Sequence, residues 1–447
     1  MNEEPKIIYT LDAVPPWRDL LLLSFQQMLL MFTAATIPAI LVREIGGSLQ
    51  EASLMVALTM IAAGVGSVIQ ATRTRWMGSG YLCPNICGPS YLAVSMQAAW
   101  IGGLPLMRGM IIIAGAAEMF LARLINRLRF LFPPVVTGLA VTMVGISIIP
   151  VSVSGFFGSR FAGDIFGWRD AVVGAFSLLL MAGANIWGKK AAKMYCLLLG
   201  TIGGWLLALV LLPDAAESLS RVGHEPWISF PFRDLSGFKP AFSLGLLPPF
   251  LIIAVCGSLK SFGNLIAAQK ISEPQLTELK MKPLAKGLMA DGFTTAMAGA
   301  MGGMAVDTSS SNVGLAAATR AVSRWIAVCA GIIFAVLGFS PKLTTAIALI
   351  PPPVVGAMMI FAVSFMISTG LQEMLSEKLD QRKIFAIGIS LILGLGTGLV
   401  PAVFEAMPPT LQIFFAEPLS STIILVIVLY QLFHLDLTLA ERRKRRR

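Results

Sequence analysis

Two short polar segments interrupt the apolar sequence, and their residue types suit ligand binding. The first is YLCPNICGPSY at 81–91, and the second is GGMAVDTSSSN at 302–312. Proline, glycine and a Ser/Asn run leave backbone N–H and C=O groups without helical partners. At membrane depth such backbone is tolerated only where it is buried in protein or lines a cavity. A single interrupted segment can be a packing accident, whereas a matched pair favours a binding site.

A lysine and two aspartates add charge near these segments. Lys260 lies in the apolar run 244–268, Asp291 lies in the run 285–302, and Asp307 belongs to the second polar segment. A lysine at membrane depth is costly unless it is paired or hydrated. Three interpretations stay open: a structural ion pair between Lys260 and Asp307, an electropositive site for an anionic substrate, or a Lys260 that faces water at the cytoplasmic mouth.

The composition indicates a membrane protein. Of 447 residues, 56% are hydrophobic and 13% are charged, and the mean hydropathy is +0.79. A soluble protein carries about 25% charged residues, so this chain has too little charge to coat a globule in water. About fourteen apolar runs are candidates for membrane spans. They lie at 20–42, 52–70, 83–99, 104–122, 134–153, 170–188, 194–213, 244–268, 285–302, 306–319, 323–339, 351–370, 384–404 and 418–435.

The net charge of +10 does not indicate nucleic acid, because the basic residues occupy short connections between apolar runs. With the N-terminus inside, the inside connections are the basic ones, as the positive-inside rule requires. These residues are Arg73, Arg75, Arg123, Arg127, Arg129, Lys189, Lys190, Lys193, Lys270, Lys280, Lys282, Arg320, Arg324, Lys378, Arg382, Lys383 and the basic tail 436–447. We therefore expect a multi-pass inner-membrane protein with both termini in the cytoplasm.

The two polar segments occur at the third and tenth runs, which are matching positions in two halves of the chain. Paired broken segments of this kind indicate repeats with a binding site between them. Because each half has about seven spans, an odd number, the repeats would be inverted. The fold class predicted is an all-α polytopic membrane protein with short broken spans 3 and 10, whose half-helices present their N-termini to one another.

Other classes of function find little support in the residues. The start of the chain, MNEEPKIIYT, lacks the basic region of a cleavable signal. Cys83 and Cys87 have no neighbouring His or acid to complete a metal site, so neither a metal nor a cofactor is expected. No nucleotide-binding loop or nucleophile–base pair is recognisable, so an enzyme or a sensor is disfavoured. Glu118 and Arg108 in the fourth run are interpreted as facing other helices, not a substrate.

Several segments, in order and at similar spacing, resemble the nucleobase–ascorbate transporter family (nucleobase:cation symporter type 2) of xanthine, uracil and urate permeases. They are SFQQMLLMFTAATIPAIL at 24–41, LFPPVVTGLAVTMVGISIIPV at 131–151, KGLMADG at 286–292 and SSNVGLAAATR at 310–320. The resemblance implies a core domain (20–125 and 244–340) that moves against a gate domain (130–213 and 351–435), flanked by tails at 1–19 and 436–447. It also implies a homodimer and a coupling ion, H⁺ or Na⁺.

The resemblance also places a substrate between the ends of spans 3 and 10, facing span 8. Backbone at Ser90, Tyr91 and Ser310 would contact it. Asn312, Gly314 and Thr319 match the family signature, and Gly88 and Pro89 begin the matching segment of span 3.

The chain departs from the family at its titratable positions. Lys260 replaces a glutamate, Asn264 an acid, Ser311 a Glu or Gln, and Gln27 a histidine. The two histidines of the chain, His224 and His434, lie outside the predicted core, so an imidazole relay is excluded. Proton coupling, if present, would fall to Asp291 or Asp307.

The amides of Gln26, Gln27 and Asn264 can donate and accept hydrogen bonds, which suits the edge of a nucleobase and equally suits neighbouring backbone. The leading hypothesis is a secondary transporter of an acidic oxo-purine such as xanthine or urate, with Lys260 supplying the charge and Asn264, Ser311 and Asn312 setting orientation. The alternative keeps the fold and carries a small inorganic or carboxylate anion.

Overall fold

The computed structural model describes residues 7–128, 133–158, 167–189, 192–193, 195–232, 239–276, 278–400, 402, 415 and 418–435. The helices are α1 (Trp17–Met31), α2 (Ile37–Glu44), α3 (Leu49–Ala71), α4 (Leu92–Leu128), α5 (Pro134–Phe156), α6 (Trp168–Ile186), α7 (Cys196–Leu211), α8 (Pro213–His224), α9 (Leu247–Ser272), α10 (Met281–Met301), α11 (Ser310–Thr319), α12 (Arg324–Leu337), α13 (Pro341–Ala348), α14 (Pro352–Met374), α15 (Gln381–Leu399) and α16 (Pro418–Phe433). The two strands are β1 (Asn85–Cys87) and β2 (Val306–Thr308). The N-terminal residues 1–6 and the predicted basic tail 436–447 lie outside the described residues.

Several helices are long and apolar enough to cross a membrane. Within the described residues there are eight such stretches, or nine if α12 and α13, which meet at 87°, form one bent span. The chain is therefore a multi-pass membrane protein. Other predicted spans are short helices here: α7 and α16 have 16 residues each and α11 has 10, whereas about 20 are needed to cross a bilayer unaided.

Helix α4 joins the third and fourth predicted spans and bends between them. Gly102 and Gly103 leave helical geometry, and Gly103 has a φ of 66°, a conformation that favours glycine. Pro105 follows two residues after Gly103 and cannot donate a backbone hydrogen bond to the preceding turn. The sequence therefore divides one continuous helix into a short first part and a long second part.

The two polar segments form strands where the sequence predicted the starts of apolar spans. Strands β1 and β2 pair antiparallel, with Asn85 opposite Thr308 and Cys87 opposite Val306. Two further backbone bonds extend the pairing: Gly88 N donates to Ala305 O at 2.8 Å, and Ser309 N donates to Pro84 O at 2.9 Å. The backbone groups that Pro and Gly free from helices thus bind each other, as a buried interruption requires. Helical structure starts only after the strands, at Pro89 and Ser310.

Glycines allow the helices around the strand pair to approach closely. A Cβ on Gly292 of α10 would lie 2.7 Å from Gly115 O of α4, and a Cβ on Gly331 of α12 would lie 2.6 Å from Gly64 O of α3. Both distances are too short for any side chain, so these crossings require glycine. Close contact through small residues is the usual way in which membrane helices associate.

The described N-terminal residues tie separate loops together. Tyr9 bridges Ala321 in parallel, and Val322 N donates to Tyr9 O at 3.0 Å. Asp12 forms ion pairs with Arg73, after α3, and with Arg324, at the start of α12, at 3.1 and 3.0 Å. Three distant parts of the sequence thereby meet at one end of the helix bundle.

Candidate functional site

Lys260 and Asp307 form an ion pair at the strand pair. Lys260 is on α9, and Asp307 is the central residue of β2; Lys260 Nζ lies 2.9 Å from Asp307 Oδ2. The side chain of Asp307 is fully buried, and that of Lys260 is 18% exposed. The Lys260 side chain is therefore not completely enclosed by the protein. Of the three interpretations that the sequence left open, the structure shows the ion pair between Lys260 and Asp307. In this ion pair the Lys260 side chain is still partly accessible.

One turn further along α9, Asn264 is engaged with β2. Its Nδ2 donates to Thr308 O at 3.0 Å and to Thr308 Oγ1 at 3.1 Å. Thr308 Oγ1 donates to Ser261 Oγ at 2.9 Å, and Ser261 Oγ donates to Asp291 Oδ2 at 2.5 Å. Asn264 thus starts a buried chain of hydrogen bonds that ends on a carboxylate. The Asn264 amide donor therefore binds the backbone of β2, which is one of the two roles that the sequence left open for this amide.

Asp291 joins α10 to both α9 and β1. In addition to the Ser261 hydroxyl, it accepts a hydrogen bond from Asn85 Nδ2 at 2.9 Å through Oδ1. The residue is 1% exposed. Each carboxylate oxygen of Asp291 therefore has a donor, which satisfies the group within the protein.

The N-terminus of α11 is the open side of the site. Ser309 is its N-cap: the Ser309 hydroxyl accepts from Asn312 N at 3.3 Å and donates to Asn312 Oδ1 at 2.6 Å. Ser310, Ser311 and Gly314 are exposed, and a Cβ on Gly314 would meet nothing within 4 Å. The free N–H groups and partial positive charge of a helix N-terminus favour anions and carbonyl oxygens.

Gln27 and Asn312 are committed to each other. Asn312 Nδ2 donates to Gln27 Oε1 at 2.6 Å and to Gln27 O at 2.8 Å, and Gln27 Nε2 donates to Asn312 O at 3.3 Å. Both residues are buried. The sequence proposed both as substrate ligands, whereas here they join α1 to α11. Neighbouring Gln26 differs, because its Oε1 is buried without a hydrogen-bond partner among the described residues.

The segment before α4 shapes the opposite side. Tyr91 N donates to Gly88 O at 3.1 Å, so the backbone donor predicted to contact substrate is used within a 3-10 turn that includes Pro89 and buried Ser90. A Cβ on Gly88 would lie 3.2 Å from the carboxylate of Asp307, so this glycine gives the ion pair its room. Thr319, at the far end of α11, donates to Leu315 O at 2.8 Å within its own helix.

Some residues of the site were not expected from the sequence. The Tyr91 side chain is fully buried, and its hydroxyl donates to Glu118 Oε1 of α4 at 2.5 Å. Asn85, Ser261 and Thr308 complete the polar chain described above. An acid within the apolar run 104–122 was the available signal for Glu118, although nothing in the run says which helix it faces.

The arrangement is a cation and a helix N-terminus that meet beside a buried polar network. Asp307 joins these two features, because it binds Lys260 and lies two residues before the Ser309 cap. Such a site can hold an oxo group or an anion by charge and hydrogen bonding, without covalent chemistry.

The chain is similar in sequence to known permeases. A family model described as a permease family, Xan_ur_permease, matches residues 18–403. The uric acid permease PucK of Bacillus subtilis is 31% identical over 399 residues, which cover 87% of this chain and 89% of that protein. The xanthine permease XanP of Escherichia coli is 26% identical over 455 residues, which cover 97% of this chain and 96% of that protein.

A solved structure shares the fold. The transmembrane domain of the cyanobacterial bicarbonate transporter BicA superposes with a TM-score of 0.54 at 12% identity, covering 95% of this chain and all (100%) of that one. At this identity the likeness speaks for the fold alone. The resemblance noted in the sequence is confirmed by the family model, whose match spans most of the chain: this protein belongs to the Xan_ur_permease family of permeases.

Proposed function

We propose that the protein is a secondary transporter of an acidic oxo-purine, with xanthine and urate as the leading candidates. The observation that carries the proposal is the partly exposed Lys260 side chain, whose ammonium is paired with Asp307 beside the open N-terminus of α11. Family membership supports a nucleobase, since PucK is named for uric acid and XanP for xanthine.

The charge of the site supports the acidic members of this class. Urate is an anion at neutral pH, and xanthine loses a proton close to neutral pH, so both can offer a negative charge that complements an ammonium group. A purine anion that binds Lys260 would share it with Asp307, and the exposed Ser310 and Ser311 would offer N–H and O–H donors to oxo groups. Asn264, one turn from Lys260, would orient the base through its carbonyl oxygen, because its amide donor already serves Thr308.

An architecture of about fourteen spans in two inverted repeats is part of the proposal. The pattern of helix contacts supports it. In an inverted repeat, each span of the first half corresponds to the span that comes about seven spans later. The contact of α3 with α12 then corresponds to the contact of α10 with α4, and the contact of α6 with α7 corresponds to that of α15 with α16; all four contacts are present. In the contacts of α5 with α14 and of β1 with β2, the two partners are themselves corresponding elements of the two halves.

The core would comprise residues 20–125 and 244–340, and the gate would comprise 130–213 and 351–435. Extensive contacts join α10 to α3 and α4, and α3 to α12. Others join α14 to α5 and α6, and α16 to α5, whereas α9 has only limited contacts with α5 and α16. A small contact between the two groups suits movement of the core against the gate. We further propose a homodimer in the inner membrane, with cytoplasmic termini and with H⁺ or Na⁺ as the coupling ion.

Ligand binding by the purified protein tests the proposed substrate class. The panel is xanthine, urate, guanine, hypoxanthine, uracil, ascorbate, bicarbonate, sulfate and small carboxylates, each at pH 6 and pH 8. A ligand at about 100 times its Kd stabilises the fold by about 2.7 kcal/mol, which a thermal shift detects. Stabilisation by an oxo-purine, stronger where the purine is anionic, is the expected result. A response to simple anions without any response to purines would transfer the proposal to the alternative, an inorganic or carboxylate anion.

A further inference from the structure

Glu118 places a third carboxyl group beside the site, in a position that glycines make available. It lies on α4 and is 1% exposed. A Cβ on Gly257 of α9 would lie 3.0 Å from Glu118 Oε1, and a Cβ on Gly292 of α10 would lie 2.8 Å from Glu118 Cβ. The Glu118 side chain therefore occupies space that exists because these two positions of the neighbouring helices are glycines.

The two oxygens of Glu118 are bound unequally. Oε1 accepts the Tyr91 hydroxyl at 2.5 Å, whereas Oε2 is buried and has no hydrogen-bond partner among the described residues. The nearby hydroxyl of Thr295 donates elsewhere, to Val306 O at 2.6 Å. A carboxylate with a single donor is poorly solvated by its surroundings, while a carboxylic acid in the same place loses little.

The surrounding charges do not compensate an ionised Glu118. Asp291 of α10, next to Gly292, and Asp307 of β2 are acids, and Lys260 of α9 is already paired with Asp307. On α2, which also packs on α4, the Arg43 guanidinium donates to Ile350 O, and Glu44 adds a further acid. Helix α5 has no charged residue. Asp291 has a donor for each oxygen, so Glu118 is the carboxyl least able to hold a negative charge.

We propose that Glu118 is the proton-carrying group that couples transport to the proton gradient. This inference rests on the proposed function, because it concerns the same site. When an anionic purine binds Lys260, the site gains one negative charge. Protonation of Glu118 then removes the negative charge of its carboxylate, so the site does not hold both charges at once. One proton from water on the entry side binds the Glu118 carboxylate, crosses with the substrate and returns to water on the exit side. Substrate and proton therefore move in the same direction, and no bond other than that O–H bond forms or breaks.

The expectation from the sequence assigned any coupling to Asp291 or Asp307. The structure favours Glu118 over both, because Asp307 has its lysine and Asp291 has its two donors. The Tyr91 hydroxyl holds Glu118 Oε1 in place, so Tyr91 acts as a positioning residue for the proton carrier.

The test compares two transport modes of full-length protein in proteoliposomes. Exchange of labelled urate for unlabelled urate needs no net proton movement, whereas accumulation driven by an inward proton gradient does. For one proton per urate anion, a gradient of one pH unit supports about tenfold accumulation. We expect E118Q, which mimics the neutral acid, to retain exchange within about threefold of wild type and to lose accumulation above equilibrium. Glu44→Gln, a matched carboxyl-to-amide change on α2, should keep both activities.

The outcomes separate this inference from the proposed function. Two results would overturn the role of Glu118 and leave the proposed function standing. One is that wild type exchanges urate but does not respond to the proton gradient, and the other is that E118Q accumulates urate as well as wild type does. Loss of both exchange and urate-dependent thermal stabilisation in a folded E118Q protein would assign Glu118 to substrate binding, which also overturns the inference. If wild type neither binds nor exchanges any purine of the panel, the proposed function fails first.

Discussion

Gln27 and Asn312 bind each other through three hydrogen bonds, although 285 positions separate them in the sequence. The pair joins α1 to the N-terminal turn of α11, where Asn312 also interacts with the Ser309 cap. Its position holds the open end of α11 in place. A role in positioning the helix accounts for these contacts without substrate contact by either amide.

Replacement of Gln27 should therefore affect stability more than affinity. In Gln27→Leu the buried Asn312 amide loses the Gln27 Oε1 acceptor, a loss of about 1–3 kcal/mol for an unsatisfied group. We expect a lower Tm in detergent, while the Kd for the bound purine changes by less than about threefold. An unchanged Tm together with a large loss of affinity would instead make Gln27 a substrate ligand.

Gly88 provides a steric test of the ion pair. In Gly88→Ala the new methyl group would lie 3.2 Å from the Asp307 carboxylate, so Asp307 must shift away from its position at Lys260. We expect a stability loss of about 1–3 kcal/mol, typical of overpacking. Gly388→Ala is the matched control, because a Cβ there meets nothing within 4 Å. Equal behaviour of the two variants would show that the site tolerates the displacement.

The ion pairs of Asp12 should contribute little to the free energy of unfolding, but they should help to hold the N-terminal residues against the loops that they contact. Asp12, Arg73 and Arg324 have side chains that are 56%, 46% and 25% exposed, and exposed pairs contribute about 0–1 kcal/mol each. For Asp12→Asn we expect a small, salt-dependent decrease in Tm and faster proteolysis of the first residues of the chain. Proteolysis at the wild-type rate would mean that the hydrogen bonds of this segment, such as those of Tyr9 and Leu11 to the loop before α12, hold it without the ion pairs.

Much of the fold was predictable because its causes are local. Proline, glycine and the Ser/Asn run at 81–91 and 302–312 predicted interrupted helices, and the described structure has no helix over Asn85–Cys87 or Val306–Thr308. The pairing of those residues into strands was not predictable, because each segment is only three residues long and its partner lies about 220 positions away in the chain. The break at Gly102 and Gly103 was marked in the sequence by a gap between two apolar runs.

The candidate site was predictable in its residue types and less so in its contacts. The cost of an isolated lysine in the membrane required a partner or water for Lys260, and Asp307 was the acid offered by the adjoining segment. The hydrogen bonds of Asn264 to Thr308 and of Tyr91 to Glu118 depend on how helices rotate about their axes. In a helix that is apolar on all sides, no hydrophobic stripe fixes that rotation. Glu118 was therefore interpreted as facing a neighbouring helix, without any indication of its closeness to the site.

The central claim is that the Lys260 ammonium binds the substrate anion, in competition with Asp307. Lys260→Met alone would leave Asp307 buried and unpaired, so the informative variants are Asp307→Asn and the double variant Lys260→Met with Asp307→Asn. The measurement is the Kd for urate at pH 8, by thermal shift of the purified proteins. We predict that Asp307→Asn binds urate at least as tightly as wild type, and that the double variant binds at least about tenfold more weakly, a loss of about 1.4 kcal/mol. A folded double variant that binds urate with wild-type affinity would contradict the account.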